Sequence, residues 1–241
     1  MKTFLVILVS TLLSFSATQA QWKSSIKGDG NVITQKRDVE SFTSIVLHTN
    51  VNVSLIKGKE GAIALKGEKN ILEHLELTVK NNVLNIRTKK NVSLKPSAKN
   101  SVFIEIPITT VSKLEVNGSG EIIGTYPIMG DEVKLIVNGS GDLKVTLNAK
   151  EVKASVTGSG DIKINGMATS IKASVTGSGD IDSKELHAHY AKGEVTGSGD
   201  LYLTATEQLE ALIVGSGDIS INGDVKKIKK NIVGSGDLNK R

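Results

Sequence analysis

The chain has 241 residues, 39% of them hydrophobic but only 3% aromatic, with 24 glycines, three prolines and no cysteine. A formal net charge of +5 is too mild to mark a nucleic-acid binder, and the lack of cysteine excludes disulfides and argues against a lipobox-type lipid anchor. Such a length holds one or two domains, with a core of aliphatic rather than aromatic side chains.

In chain order, Lys2 precedes an apolar run from Phe4 to Phe15, and Thr18-Gln19-Ala20 offers small residues for cleavage. This pattern predicts a secretory signal peptide over residues 1–20 and a mature chain from about Gln21. Without it 29 basic and 25 acidic residues remain, and no later segment is apolar enough to span a bilayer. The expected localisation is export to the periplasm, the outer surface or the extracellular space. Residues 21–36, and Ser25 to Asn31 in particular, read as a flexible segment. A single β-solenoid domain is expected over 37–241, with an irregular β cap at 37–111 and repeat coils at 112–241. In the cap, strand material begins between Val39 and Leu47, and Val51, Val53 and Leu55 alternate, as do Ile63 and Leu65. Leu75, Leu77 and Val79 lead through Asn81-Asn82 into Val83, Leu84 and Ile86, which reads as a hairpin with an Asn-rich turn. Lys89 to Asn100 reads as a polar loop containing Pro96, followed by a strand of Val102, Ile104 and Ile106 stopped by Pro107.

From Gly118 onward a Gly-Ser-Gly-acid motif recurs seven times, its first glycines being Gly118, Gly139, Gly158, Gly177, Gly197, Gly215 and Gly234. The intervals of 21, 19, 19, 20, 18 and 19 residues are too short for a domain each, so every unit must be one coil. Two residues before each first glycine stands Val116, Val137, Val156, Val175, Val195, Ile213 or Ile232, and after each acid Ile122, Leu143, Ile162, Ile181, Leu201, Ile219 or Leu238. The aliphatic period of two before the glycines signals strand, and stacking lines like residues into internal ladders. The fold class expected is all-β, a parallel β-helix of about seven coils of 18 to 21 residues.

The opening Arg37-Asp38-Val39 and Phe42 to Ile45, the Val83-Leu84-Asn85-Ile86 and Ile104-Glu105-Ile106-Pro107 strands, and the run of Gly-Ser-Gly-acid coils resemble a known bacterial family over roughly residues 37 to 238. This is the family called "putative auto-transporter adhesin head GIN domain". The resemblance implies an exported β-helical protein with an adhesin-like role, and supplies no catalytic residue and no cofactor.

Two outward columns carry the chemistry. The acids Glu121, Asp142, Asp161, Asp180, Asp200, Asp218 and Asp237 would stack about 4.8 Å apart, so their repulsion must be offset. One reading has each acid capping its own turn through backbone N–H groups and the neighbouring serine hydroxyl. The other is calcium, but one carboxylate per coil falls short of the six to eight oxygens calcium takes, so no metal is expected. Gly139, Gly158, Gly177 and Gly197, with Asp142, Asp161, Asp180 and Asp200, are therefore read as structural turn residues. The second column holds Lys134, Lys153, Lys172 and Lys192 beside Asn138, Thr157, Thr176 and Thr196. These are the candidate ligand-binding residues, suited to an extended anionic glycan or a protein partner; the alternative is a solubilising face. His187 and His189 share a strand face but lack a third local ligand.

A catalytic group should be singular in its surroundings, whereas every Ser and Asp of the motif is repeated in kind. The expectation is a non-catalytic binding or structural module with no cofactor and no nucleic-acid partner; the alternative is a β-helical polysaccharide lyase or hydrolase. Lys226, Lys227, Lys229 and Lys230 crowd the last coil. That charge favours a monomer, the alternative being a homodimer through this coil.

Overall fold

The computed structural model describes residues 24–97, 101–124 and 126–241. The predicted signal peptide lies outside these residues. Because inward positions recur at nearly constant spacing, each strand pairs in parallel with its copy one coil away. The strands are β1 (Ser24–Lys27), β2 (Val32–Asp38), β3 (Ser44–Leu47), β4 (Asn52–Lys57) and β5 (Ala62–Glu68), followed by the short helix α1 (Lys69–Leu72). Next come β6 (Leu75–Lys80), β7 (Val83–Thr88), β8 (Val92–Lys95), β9 (Phe103–Ile108), β10 (Lys113–Gly118), β11 (Glu121–Gly124), β12 (Ile128–Gly139) and β13 (Asp142–Gly158). The rest are β14 (Asp161–Gly177), β15 (Ile181–Asp182), β16 (Leu186–Gly197), β17 (Leu201–Gly215), β18 (Ile219–Asn222), β19 (Lys227–Gly234) and β20 (Leu238–Lys240).

The solenoid has two principal walls. In the front wall Val116, Val137, Val156, Val175, Val195, Ile213 and Ile232 are register partners in succession. In the back wall Ile122, Leu143, Ile162, Ile181, Leu201, Ile219 and Leu238 do the same. All but the last residue of each ladder are buried, and each buried side chain contributes about 1.5–3 kcal/mol by leaving water. The expected parallel β-helix is thus the observed one.

The solenoid also reaches further towards the N-terminus than the repeats announce. Strand β3 pairs in parallel with β10 (Ile45 with Leu114), and β4 with β11 (Val53 with Ile122), so residues 44–57 form a coil without the glycine motif. Beyond it β7 pairs with β3 and β9 with β4, still in parallel. Only then does the direction change: β6 joins β7, and β5 joins β9, antiparallel, with β2 antiparallel outside β5. The β6–β7 hairpin turns at Asn81 and Asn82, both at positive φ (52° and 61°), as the Asn-rich turn predicted.

Two stretches differ from expectation. Residues 24–38, read as mostly flexible, carry β1 and β2, and the polar loop after Lys89 contains β8, which pairs in parallel with β1. The cause is a buried carboxylate. Glu68, fully buried, accepts the N–H of Gly30 at 2.6 Å and of Ser97 at 2.9 Å, and the Ser97 hydroxyl at 2.7 Å. It thereby ties together segments that local sequence leaves polar and unstructured. Arg37 fastens the same end by donating to the carbonyls of Leu72 and Leu75, each at 2.6 Å.

Candidate functional site

The outer surface of the front wall is built from residues one, three and five positions before each first glycine, joined from Glu132 onward by the seventh. Lys113, Lys134, Lys153, Lys172, Lys192, Glu210 and Lys229 lie in unbroken register, as do Asn117, Asn138, Thr157, Thr176, Thr196, Val214 and Val233. Between them a trough has Ser155 and Ser174 on its floor, their hydroxyls 3.2 Å apart, and the lysines 153 and 172 along one side. Asn138 donates its amide to Asn117 Oδ1 at 2.9 Å, while Thr157, Thr176 and Thr196 are exposed.

The lysine column is not an open cationic strip. Glu132 lies 3.0 Å from Lys134 and 2.6 Å from Lys153, Glu151 lies 2.7 Å from Lys172, and Glu194 lies 2.7 Å from Lys192. The carboxylates at 132 and 151 stand two residues before lysines 134 and 153, on the same strand face, and zigzag from coil to coil. Hydrogen bonds from Lys153 and Lys134 hold Glu132 well below the usual carboxylate range, at about 2. In return the ammonium groups of Lys153 and Lys192 are raised, chiefly by their bonds to Glu132 and Glu194. Exposed pairs of this kind stabilise little, but they occupy the charges a polyanion would need.

The turn column forms by a different bond from the one expected. Rather than closing its own turn, Asp161 Oδ1 accepts the N–H of Asp180 at 2.9 Å, Asp180 that of Asp200 at 2.7 Å, Asp200 that of Asp218 at 2.8 Å, and Asp218 that of Asp237 at 2.8 Å. From Asp161 to Asp218 each negative charge is met by a backbone dipole of the next coil, whereas Glu121 and Asp142 at the start of the column face the Lys144 ammonium at 2.8 and 3.9 Å. Tyr202 donates to Asp200 Oδ2 at 3.2 Å, and its ring lies 4.0 Å from the Lys184 ammonium. Burial first, and then the Asp200 charge, raise the tyrosine pKa.

The glycines allow the coils to approach. Gly139, Gly158, Gly177 and Gly197 sit at φ between 122° and 124°, where a Cβ would overlap the carbonyl of the preceding coil's glycine. Those carbonyls accept the serine N–H above them, as in Ser178 to Gly158 at 2.8 Å.

Among the described residues no three His, Cys, Asp or Glu side chains converge on a common metal position. His187 and His189 are both exposed, and His189 Nδ1 lies 3.4 Å from the Thr206 hydroxyl. The back wall holds a feature that sequence reasoning passed over, a cleft of about 480 Å³ around exposed Phe103. The alternation of Val102, Ile104 and Ile106 placed this ring outward, so its exposure was readable.

The chain belongs to the family described as "putative auto-transporter adhesin, head GIN domain", whose profile matches residues 41–225. No curated protein matches it. Among solved structures it is similar to a "putative adhesin" from Bacteroides fragilis, with a TM-score of 0.83 at 23% identity, covering 90% of this chain and 100% of that one. A "putative adhesin" from Parabacteroides distasonis aligns with a TM-score of 0.78 at 20% identity over 90% and 100% of the two chains. A "putative lipid binding protein" from the same organism aligns with a TM-score of 0.73 at 23% identity over the same shares. At these identities the likeness is one of fold. No described helix is long and apolar enough to cross a membrane.

Proposed function

We propose that the protein is an exported, non-catalytic, adhesin-like module whose front wall engages an extended glycan. The observation that carries this reading is the strict register of identical outward residues, Lys with Thr, over the three coils of Lys153, Lys172 and Lys192. Such a surface offers a polymer the same weak contacts at each step of about 4.8 Å. The Lys–Glu ladder favours contact through hydroxyls and amides over neutralisation of a dense polyanion. Repetition of every turn Ser and Asp supports a non-catalytic role, and the family description supports a surface or exported one.

The test is binding to a glycan array at two salt concentrations, comparing the parent with the T157V/T176V/T196V variant. The column reading expects the variant to lose binding and the parent to show weak salt dependence. Equal binding by both proteins refutes it, and a steep salt dependence moves the contact to the lysines.

A further inference from the structure

We propose that the cleft around Phe103 is a separate subsite for a neutral pyranose ring. It is built on four adjacent strands of the back wall, β5, β9, β4 and β11. Register places Lys66, Phe103, Asn52 and Glu121 in one outward row, and Glu105, Ser54 and Ile123 in the next. Four strands span roughly 14 Å and successive outward residues roughly 7 Å, so these side chains surround one small platform. Its volume of about 480 Å³ lies within the range of small-molecule sites.

Three observations point to a ligand. First, of the two phenylalanines described, Phe42 is in the core at 3% exposure, whereas Phe103 is 50% exposed with Ile123 nearby, giving an apolar face on a rigid sheet. A lone exposed aromatic is unremarkable, but this one lines a concavity with polar groups. Second, those groups are free. Among the described residues, the side chains of Asn52, Ser54, Lys66 and Glu105 make no hydrogen bond or ion pair, in contrast to the paired lysines of the front wall. Glu121, at the rim, is already held by Lys144 at 2.8 Å.

Third, the chemistry is mixed. Lys66 can only donate, ionised Glu105 can only accept, and Asn52 and Ser54 do both. An anionic ligand would suit Lys66 and be repelled by Glu105, and a cationic one the reverse. A ring whose hydroxyls both donate and accept serves all four, while its C–H face covers Phe103. The occupant chosen rests on the adhesin reading only in being a sugar; the site lies on the opposite wall and stands or falls separately.

The test is a saturation-transfer and amide-shift NMR titration of the mature chain with neutral methyl hexopyranosides, methyl glucuronide and a Lys-rich peptide. Neutral sugars should receive saturation at their ring C–H protons and shift the amides of Asn52, Ser54 and Phe103. Phe103→Ala should weaken this about ten-fold or more, the scale of losing one aromatic anchor, with an unchanged melting temperature because the ring points outward. Asn52→Ala should weaken it less, and T157V/T176V/T196V should leave it intact. No cleft shifts at high millimolar sugar, an equal response from F103A, or preference for the glucuronide or the peptide would each overturn the proposal. Loss in the threonine variant alone would assign the sugar to the front wall instead.

Discussion

Gly177 and Gly118 have nearly the same backbone angle, φ of 123° and 120°, but different neighbours. A Cβ at Gly118 would meet nothing within 4 Å, since the coil before it turns through His48 and Thr49, whereas at Gly177 it would overlap the carbonyl oxygen of Gly158. That oxygen accepts the N–H of Ser178 at 2.8 Å and of Gly179 at 3.1 Å, so the intruding methyl also strains two bonds between coils. Gly118→Ala should cost only the backbone strain, about 1–3 kcal/mol. Gly177→Ala adds overpacking of about 1–3 kcal/mol, giving about 2–6 kcal/mol in all. For a chain of this size each kcal/mol lowers Tm by about 2–4 °C, so G177A should melt several degrees below G118A. Thermal unfolding followed by far-UV circular dichroism checks this, with Ser178→Ala as a neutral reference. If the two alanine variants melt together, the close approach of the coils is not what the glycines serve; if neither differs from the parent, positive φ is not either.

The Glu132 carboxyl, held at about 2 by Lys153 and Lys134, should titrate well below the usual carboxylate range in a carbon-detected NMR series. Because its folded pKa is depressed, its contribution is present above the unfolded value and fades as pH falls towards about 2, and K134M/K153M should return it to the ordinary range. Asp200→Ala removes the acceptor of the Asp218 N–H and should cost about 1–3 kcal/mol with faster exchange of that amide, while Asp200→Asn keeps Oδ1 and should cost less. Chelator should leave the melting temperature unchanged, since backbone N–H groups face Asp161 to Asp218 and Lys144 faces Glu121 and Asp142; a rise of many degrees in millimolar calcium would make that column a metal site.

The repeat wall was legible because period two along the strand and a period near 19 along the chain are both sequence properties, and Val156 stacked on Val175 follows from them. The pairing of Glu132 and Glu151 with the lysine column was also within reach, as each stands two residues before a lysine. Which backbone N–H each aspartate accepts was not, because register fixes the neighbour but not whether the carboxylate closes its own turn or reaches the next coil. The β1–β8 pair and buried Glu68 were invisible for another reason. Their contacts join residues far apart in the chain, and Glu68, on the outward phase of its strand with Lys66, carries no mark of what will enclose it.

The coil of β3 and β4 bears on how the chain acquires its structure. From β10 onward each coil closes on one about nineteen residues away, so the wall can extend by a series of short, similar loop closures. The step from Ser44 to Lys113 is the exception, enclosing β4 to β9, and it costs about 1 kcal/mol more in loop entropy than an ordinary coil. Folding should therefore be polarised: the glycine coils zip first with low barriers, and the N-terminal end docks onto them last. Amides of β13 and β14 should gain protection from exchange before those of β3 and β9 in a pulse-labelled refolding experiment. The Phe103 platform, which straddles that seam, would then be the part of the surface that exists only once folding is complete.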